Sequence, residues 1–213
     1  MKLSEIFNSE NNIQLDKKTL VILRWIAIVG QFITINIVYF ILNFDFPFIY
    51  CFLIIFFGGI TNIFLQFKIK RKLLSNFSST LYLAYDLTQL ATLVFFTGGI
   101  TNPFIILLVI PAVVSSTFLS IRSTVNLSIF TIAVLIALTI SHQPLPHFGD
   151  LHFHVPNYYL YSIPFAIIIG LVFLTYFGSR FGAESRKRRE ALNRLELILA
   201  FKLTSFTFSF FVV

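Results

Sequence analysis

One pentapeptide, Gly-Gly-Ile-Thr-Asn, occurs twice in this sequence, at 58–62 and at 98–102. Each copy brings a threonine hydroxyl and an asparagine amide beside two glycines, which let another group approach the backbone closely. Only the second copy is followed by Pro103 and Phe104. Amide and hydroxyl donors beside a flat aromatic ring suit a ligand that has carbonyl oxygens on a ring of its own. Whether either copy can act in this way depends on the helices that position it.

The composition is that of a membrane protein. Hydrophobic residues make up 57% of the 213 residues and charged residues only 12%, whereas a soluble domain has roughly a quarter charged. A spanning helix needs about 20 mostly apolar residues. Six windows meet this need, so the sequence predicts an all-α, polytopic bundle of six transmembrane helices: 20–42, 47–67, 80–97, 103–120, 124–141 and 158–179.

The basic residues lie at alternate ends of these windows. Every Lys and Arg, including Arg24, lies near the same end of the predicted bundle. The connections at the other end, 43–46, 98–102 and 142–157, have none. The positive-inside rule therefore predicts a multi-pass protein of the inner membrane with both termini in the cytoplasm. The basic runs at 68–72 and 186–189 are interpreted as contacts to lipid headgroups, and no nucleic-acid partner is predicted.

With this topology the two copies separate. The first falls within the second span, where its small residues predict close helix packing and Asn62 a hydrogen bond to a neighbouring helix. The second lies at the outer end of the third span. There Gly98 and Gly99 predict a tight turn with positive φ, and Pro103 begins the fourth helix. We expect unpaired N–H groups at that helix start. Chemistry alone leaves two interpretations, an ordinary turn, which it favours, and a site for a membrane quinone.

An intramembrane charge pair is the second feature with chemical potential. Only Arg24 and Asp86 carry formal charge inside the six windows. A carboxylate at such depth is paired or functional. Three interpretations stay open: a structural Arg24–Asp86 pair, a neutral Asp86 bonded to Gln89, and a proton route linked to quinone reduction. Asp86 is about 18 Å from Gly98 along a helix, so direct contact with a ring at the turn is not expected.

Other reactive side chains predict no site. The loop 142–157 contains all four histidines together with Asp150, but their irregular spacing among prolines favours a plain interfacial loop, and no metal is predicted. Cys51, the single cysteine, lies in an apolar run and is interpreted as a small hydrophobic residue.

Several segments resemble the RegB/PrrB-type redox-sensing histidine kinases of two-component systems. The motif "GGITNPF" (98–104) matches the GGxxNPF signature of that family at all five specified positions. The resemblance covers about residues 20–200, and the other segments that carry it are "LRWIAIVGQ" (23–31), "YDLTQLATLVFFTGGITNPF" (85–104), "IPAVVSS" (110–116) and "AESRKRREALNRLELILA" (183–200).

The resemblance implies a six-helix sensor whose motif binds ubiquinone, so that the redox state of the quinone pool sets kinase output. At the second copy, the resemblance favours a quinone site over an ordinary turn. The implied site residues are Gly98, Gly99, Asn102, Pro103 and Phe104, and the chemistry adds the Thr101 hydroxyl. The implied function is a membrane-embedded redox-sensing and quinone-sensing input module. The implied partners are lipid, quinone, a second copy of the chain, and a response regulator or separately encoded kinase core.

The sequence departs from the family after Ala200. No cytoplasmic histidine and no nucleotide-binding motif follows, so we expect a truncated chain that is inactive as a kinase by itself. Leu192, Leu195 and Leu199 have the spacing of a short, weak coiled coil, with an interfacial helix as the alternative. A small transporter, or a membrane scaffold without signalling output, is the alternative function. The predicted divisions are an N-terminal segment 1–19, a sensor domain 20–180, a helical linker 181–200 and a divergent tail 201–213.

Overall fold

The computed structural model describes residues 15–70, 72–144 and 156–211. Nearly all of these residues are helical, and two short strands, β1 and β2, pair antiparallel. The elements in chain order are β1 (Leu15–Asp16), α1 (Lys17–Asn36) with a π-helical end (Ile37–Ile41), α2 (Phe48–Lys68), β2 (Leu73–Leu74), α3 (Asn76–Phe96), two 3₁₀ segments (Gly99–Thr101 and Pro103–Val109), α4 (Ile110–Phe118), α5 (Ile121–Ile140) and α6 (Asn157–Phe211).

Polar residues at or just outside the ends of the apolar windows start three of the helices. The side chains of Asp16, Ser75 and Ser120 each accept a hydrogen bond from a backbone N–H in the first turn of α1, α3 and α5, respectively. Such N-caps satisfy donors that the helix itself leaves unpaired. All three caps lie at the end of the bundle where the basic connections are, and β1 pairs with β2 at this same end. We call it the basic end.

The predicted all-α membrane fold is confirmed, but not every predicted span. Among the described residues, four helical stretches are long and apolar enough to cross a membrane: Lys17–Ile41, Phe48–Lys68, Ile121–Ile140 and Tyr158–Ala200. The third predicted window falls in α3, which has 21 residues but includes Asp86 and Gln89. The fourth falls in Pro103–Phe118, a shorter apolar stretch that begins as a tight 3₁₀ helix.

Apolar side chains fill the interior of the bundle and also cover much of its outer surface. One buried cluster joins residues of α1, α3, α4, α5 and α6, and a smaller one joins α1, α2 and α3. Large apolar side chains such as Phe57, Phe64 and Phe173 remain exposed. Contiguous apolar surface of this kind needs an apolar surrounding, so the outer faces of these helices suit lipid.

α6 runs unbroken from the sixth predicted span into the charged linker. Its bounds are Asn157–Phe211, so no change of secondary structure marks the predicted boundary at 180 and 181. Leu192, Leu195 and Leu199 are exposed along it. The division into segments stays a prediction, and the first 14 residues of the predicted N-terminal segment lie outside the described residues.

Candidate functional site

The second copy of the pentapeptide forms a tight turn between α3 and the 3₁₀ segment that leads into α4. Gly98 and Gly99 have φ of 115° and 54°, as the sequence predicted, and a side chain is strained at either value. A Cβ on Gly99 would also collide with the His142 ring, which follows α5. The turn is therefore fixed against the end of a neighbouring helix.

The Asn102 amide is fully engaged inside this turn. Its nitrogen donates to the Thr97 carbonyl at 2.9 Å and to the Thr97 hydroxyl at 2.6 Å. Its side-chain oxygen accepts from Phe104 N at 2.8 Å, and its backbone carbonyl accepts from Ile105 N at 3.0 Å. The expectation of unpaired N–H groups at this helix start is therefore wrong for Phe104 and Ile105, because Asn102 accepts a hydrogen bond from the backbone N–H of each.

The remaining motif residues differ in exposure and bonding. The Thr101 hydroxyl donates to the Gly98 carbonyl at 2.6 Å, so its proton is also used within the turn. Pro103 is exposed, and the Phe104 side chain is 43% exposed. The motif therefore exposes apolar surface, and the side-chain donors of Thr101 and Asn102 bond within the turn and to Thr97.

Phe104 and Pro103 form part of the wall of a long apolar groove of about 830 Å³. The groove runs between α1 on one side and α3, α4 and the second 3₁₀ segment on the other. It extends from Arg24 and Asp86 near the basic end to Asn102 at the turn. Sequence reasoning placed these two candidate sites far apart. The groove joins them through one continuous space.

The first copy of the pentapeptide lies inside α2 and does not form a turn. Asn62 donates to the Val21 carbonyl of α1 at 3.2 Å, which confirms the predicted bond to a neighbouring helix. A Cβ on Gly58 would overlap the Gln89 amide of α3, so this glycine permits close packing. Gly59 has nothing within 4 Å of a Cβ, so the expected close packing is wrong at that position.

The structure brings Arg24 and Asp86 together and ties them to the first copy. Arg24 Nε donates to Asp86 Oδ1 at 2.8 Å, and Arg24 Nη2 donates to the Thr61 hydroxyl at 2.9 Å. The rings of Tyr82 and Tyr85 lie 5.4 and 5.5 Å from the guanidinium carbon. Because the pair lies in an apolar bundle, each of these contacts offsets part of the cost of removing the charges from water.

Gln89, the third residue of this group, does not bond to Asp86. Its amide nitrogen donates to Gln31 Oε1 on α1 at 3.2 Å. Gln31 itself lines the groove together with Gly30 and Thr34. Sequence reasoning missed these α1 residues as site candidates. A usable signal was present, because Arg24, Gln31 and Thr34 recur at helical spacing on one face of an otherwise apolar span.

A second cavity of about 480 Å³ lies on the other side of the turn. Thr101, Asn102 and Pro103 of the turn line it, and so do Tyr159 and Ser162 of α6. The turn therefore lies between the groove and α6.

The histidine loop gives no metal site among the residues described. No group of three or more His, Cys, Asp or Glu side chains with metal-binding geometry occurs in 15–70, 72–144 and 156–211. His142 lies in the described region, and its Nδ1 is 2.7 Å from the Leu138 carbonyl. His147, Asp150, His152 and His154 lie outside the described residues.

Comparison with known proteins shows a similarity to a curated sensor kinase. The chain is 33% identical over 183 residues to "Sensor histidine kinase RegB" of Cereibacter sphaeroides. The resemblance to RegB is confirmed. The matched region covers 85% of this chain and 40% of that relative, so the chain spans about two fifths of the length of the relative it matches. No protein-family model matches the chain, and no solved structure matches it.

Proposed function

We propose that this chain is the membrane-embedded, quinone-sensing input module of a RegB-like two-component sensor. A membrane quinone, with ubiquinone as the expected cofactor, binds in the groove beside the 98–104 turn, and its redox state determines the position of α6. The observation that carries the proposal is the groove itself, since it joins the turn to the Arg24–Asp86 pair and is lined mostly by apolar side chains.

The dimensions of the groove suit a ring with a lipid tail. Its lining on α1 extends from Leu20 to Val38, roughly 27 Å of helix at 1.5 Å per residue, which approaches the thickness of a bilayer's hydrocarbon core. Apolar walls with a few polar groups are typical of small-molecule sites. A water-soluble ligand would gain little from such walls, whereas a prenylated ring would bury most of its surface.

The turn is linked to α6 by the helix that follows it. At the basic end, a Cβ on Gly182 would overlap the Thr117 carbonyl, and Arg186 Nη1 donates to that carbonyl at 3.2 Å. Gly178 likewise leaves room for Ser116. A shift of the turn would therefore move the end of α4 against α6. This contact supports signal transfer from the groove into the charged linker.

The orientation follows from charge. The basic end faces the cytoplasm, so the turn lies at the outer interface and both termini are cytoplasmic. The output partner is a kinase core that continues or accompanies this chain and acts on a response regulator. A second copy packs through the exposed leucines of the 181–200 segment.

A matched pair of glycine variants tests the quinone site. A Cβ at Gly30 meets nothing within 4 Å, and Gly30 lines the groove. Gly59 is equally open but does not line it. Gly30→Leu should therefore fill the groove without disturbing the fold, and Gly59→Leu is the control.

The measurement is titration of the chain in nanodiscs with a short-tailed ubiquinone analogue, followed by quenching of Trp25, the single tryptophan. We expect saturable quenching that Gly30→Leu weakens by more than about tenfold, equal to 1.4 kcal/mol, and that Gly59→Leu leaves unchanged. Quenching without saturation in the unmodified chain, or equal affinity in both variants, would refute a quinone site in the groove.

A further inference from the structure

The groove has six polar side chains in its lining, and most of them are already paired. Thr97 and Asn102 bond to each other; the Thr97 hydroxyl also donates to the Leu93 carbonyl of α3, and the Asn102 side-chain oxygen accepts from Phe104 N. Arg24 is held by Asp86 and Thr61, and the one guanidinium nitrogen that has no partner is buried. The six are Arg24, Gln31, Thr34, Asp86, Thr97 and Asn102.

Besides Arg24 with its buried nitrogen, two of these side chains, Gln31 and Thr34, keep free donors. Gln31 uses its oxygen to accept from Gln89, and its amide nitrogen has no partner in the part of the chain that the structure describes. The Thr34 hydroxyl has no partner there either. Both side chains are half-buried and line the groove. Their donors can therefore serve a ligand without breaking a bond in the fold.

The two donors lie on the same face of α1. Positions 31 and 34 are one helical turn apart, about 4.5 Å along the axis. Gly30, beside them, adds no side chain and leaves the space in front of the helix open. Amide and hydroxyl hydrogens one turn apart, beside an open space in an apolar groove, match a ring that bears carbonyl oxygens.

We propose that Gln31 and Thr34 form the head-group subsite of the groove and donate hydrogen bonds to the oxygens of the quinone ring. This inference rests on the proposed quinone function. It assigns the turn a different task from the one the sequence predicted. The 98–104 turn forms the wall at the outer end through Pro103 and Phe104, and the Asn102 amide holds that wall in shape.

The test removes the two donors, and Gln31→Leu also removes the oxygen that accepts from Gln89. Thr34→Val keeps the shape and removes the hydroxyl, and because this hydroxyl has no bond in the fold, the variant should fold normally. Gln31→Leu removes the amide. Thr88→Val, on the exposed part of α3 and outside the groove, is the matched control. All are titrated in nanodiscs with the short-tailed ubiquinone analogue, and their melting temperatures are measured without ligand.

We expect Thr34→Val and Gln31→Leu each to weaken binding by about 3- to 10-fold, with Thr88→Val unchanged. If Gly30→Leu blocks binding but Thr34→Val and Gln31→Leu leave the affinity unchanged, the subsite is overturned while the quinone groove is supported. A larger loss in Asn102→Ala than in the Gln31→Leu/Thr34→Val double variant would also overturn it. Absence of saturable binding in the unmodified chain would refute the quinone function itself.

Discussion

The two copies of Gly-Gly-Ile-Thr-Asn fold into different structures. In 58–62 the pentapeptide is part of a continuous helix, whereas in 98–102 it reverses the chain. One local bond is common to both, because each threonine hydroxyl donates to the carbonyl of the glycine three residues earlier, at 2.8 Å and 2.6 Å. The asparagines differ, since Asn62 bonds to another helix and Asn102 bonds within its own turn.

The difference shows that the residues around each pentapeptide, and not its own five residues, decide what it does in the fold. In the first copy, Thr61 accepts a bond from Arg24 and Gly58 makes room for Gln89, so this copy holds an intramembrane polar network together. In the second, Pro103 ends the chain reversal and Phe104 is left on the groove wall. The first copy therefore stabilises the bundle, and the second shapes part of the groove wall.

The largest expected effect comes from breaking the network at the first copy. Asp86→Ala would leave the Arg24 guanidinium without its counter-charge in an apolar bundle, which should lower the free energy of unfolding by about 3–5 kcal/mol. Asp45→Ala, at an exposed position between α1 and α2, is the control and should have little effect. Denaturant unfolding in detergent micelles measures both. A stable Asp86→Ala chain would show that the first copy does not organise a structural charge pair.

Matched glycines give the next largest effect. Gly59 and Gly99 occupy the same place in the two copies, but Gly99 has φ of 54° and faces the His142 ring, whereas Gly59 is open. Gly99→Ala should therefore cost about 1–3 kcal/mol of stability, and Gly59→Ala should be neutral or slightly stabilising. Thermal melts of the two variants in the same detergent decide this. Equal losses would mean that the two copies have similar backbones.

Matched threonines give the smallest expected difference between the two copies. Thr61→Val and Thr101→Val both remove the local bond to a glycine carbonyl, but only Thr61 also accepts from a charged donor. Bonds to charged groups contribute more, so Thr61→Val should cost about 1.5–3 kcal/mol and Thr101→Val about 0.5–1.5 kcal/mol. The same denaturant unfolding in detergent micelles compares them. Thr101→Val being the more damaging variant would reverse the roles assigned to the two copies.

Much of the fold could be predicted from the sequence because its signals are local. The lengths of the apolar stretches predicted six helical windows, and all six are helical. The glycine pair and Pro103 predicted the positive φ values and the start of the following helix. Four stretches, not six, meet the length and hydropathy of a span among the described residues. The other two fall short because α3 is rich in polar side chains and α4 follows a tight 3₁₀ segment.

The site was harder to predict because its chemistry depends on contacts between helices. Whether Asn102 offers a free amide is decided by the Thr97 carbonyl and hydroxyl, which the turn brings within reach. The groove exists only where one face of α1 stands apart from α3 and α4. The motif lies at one end of the groove, but only the packed bundle shows that Gln31 and Thr34 line the same groove.

The most direct test of this division between the two copies is photolabelling with a ubiquinone analogue that carries a photoreactive group on its ring. The full chain in nanodiscs is irradiated, digested and analysed by mass spectrometry, with unlabelled analogue as competitor. The account predicts competable labelling within 30–38 and 103–111, both of which line the groove, and none at 58–62. Competable label at 58–62, or label in the groove that excess competitor does not reduce, would contradict it.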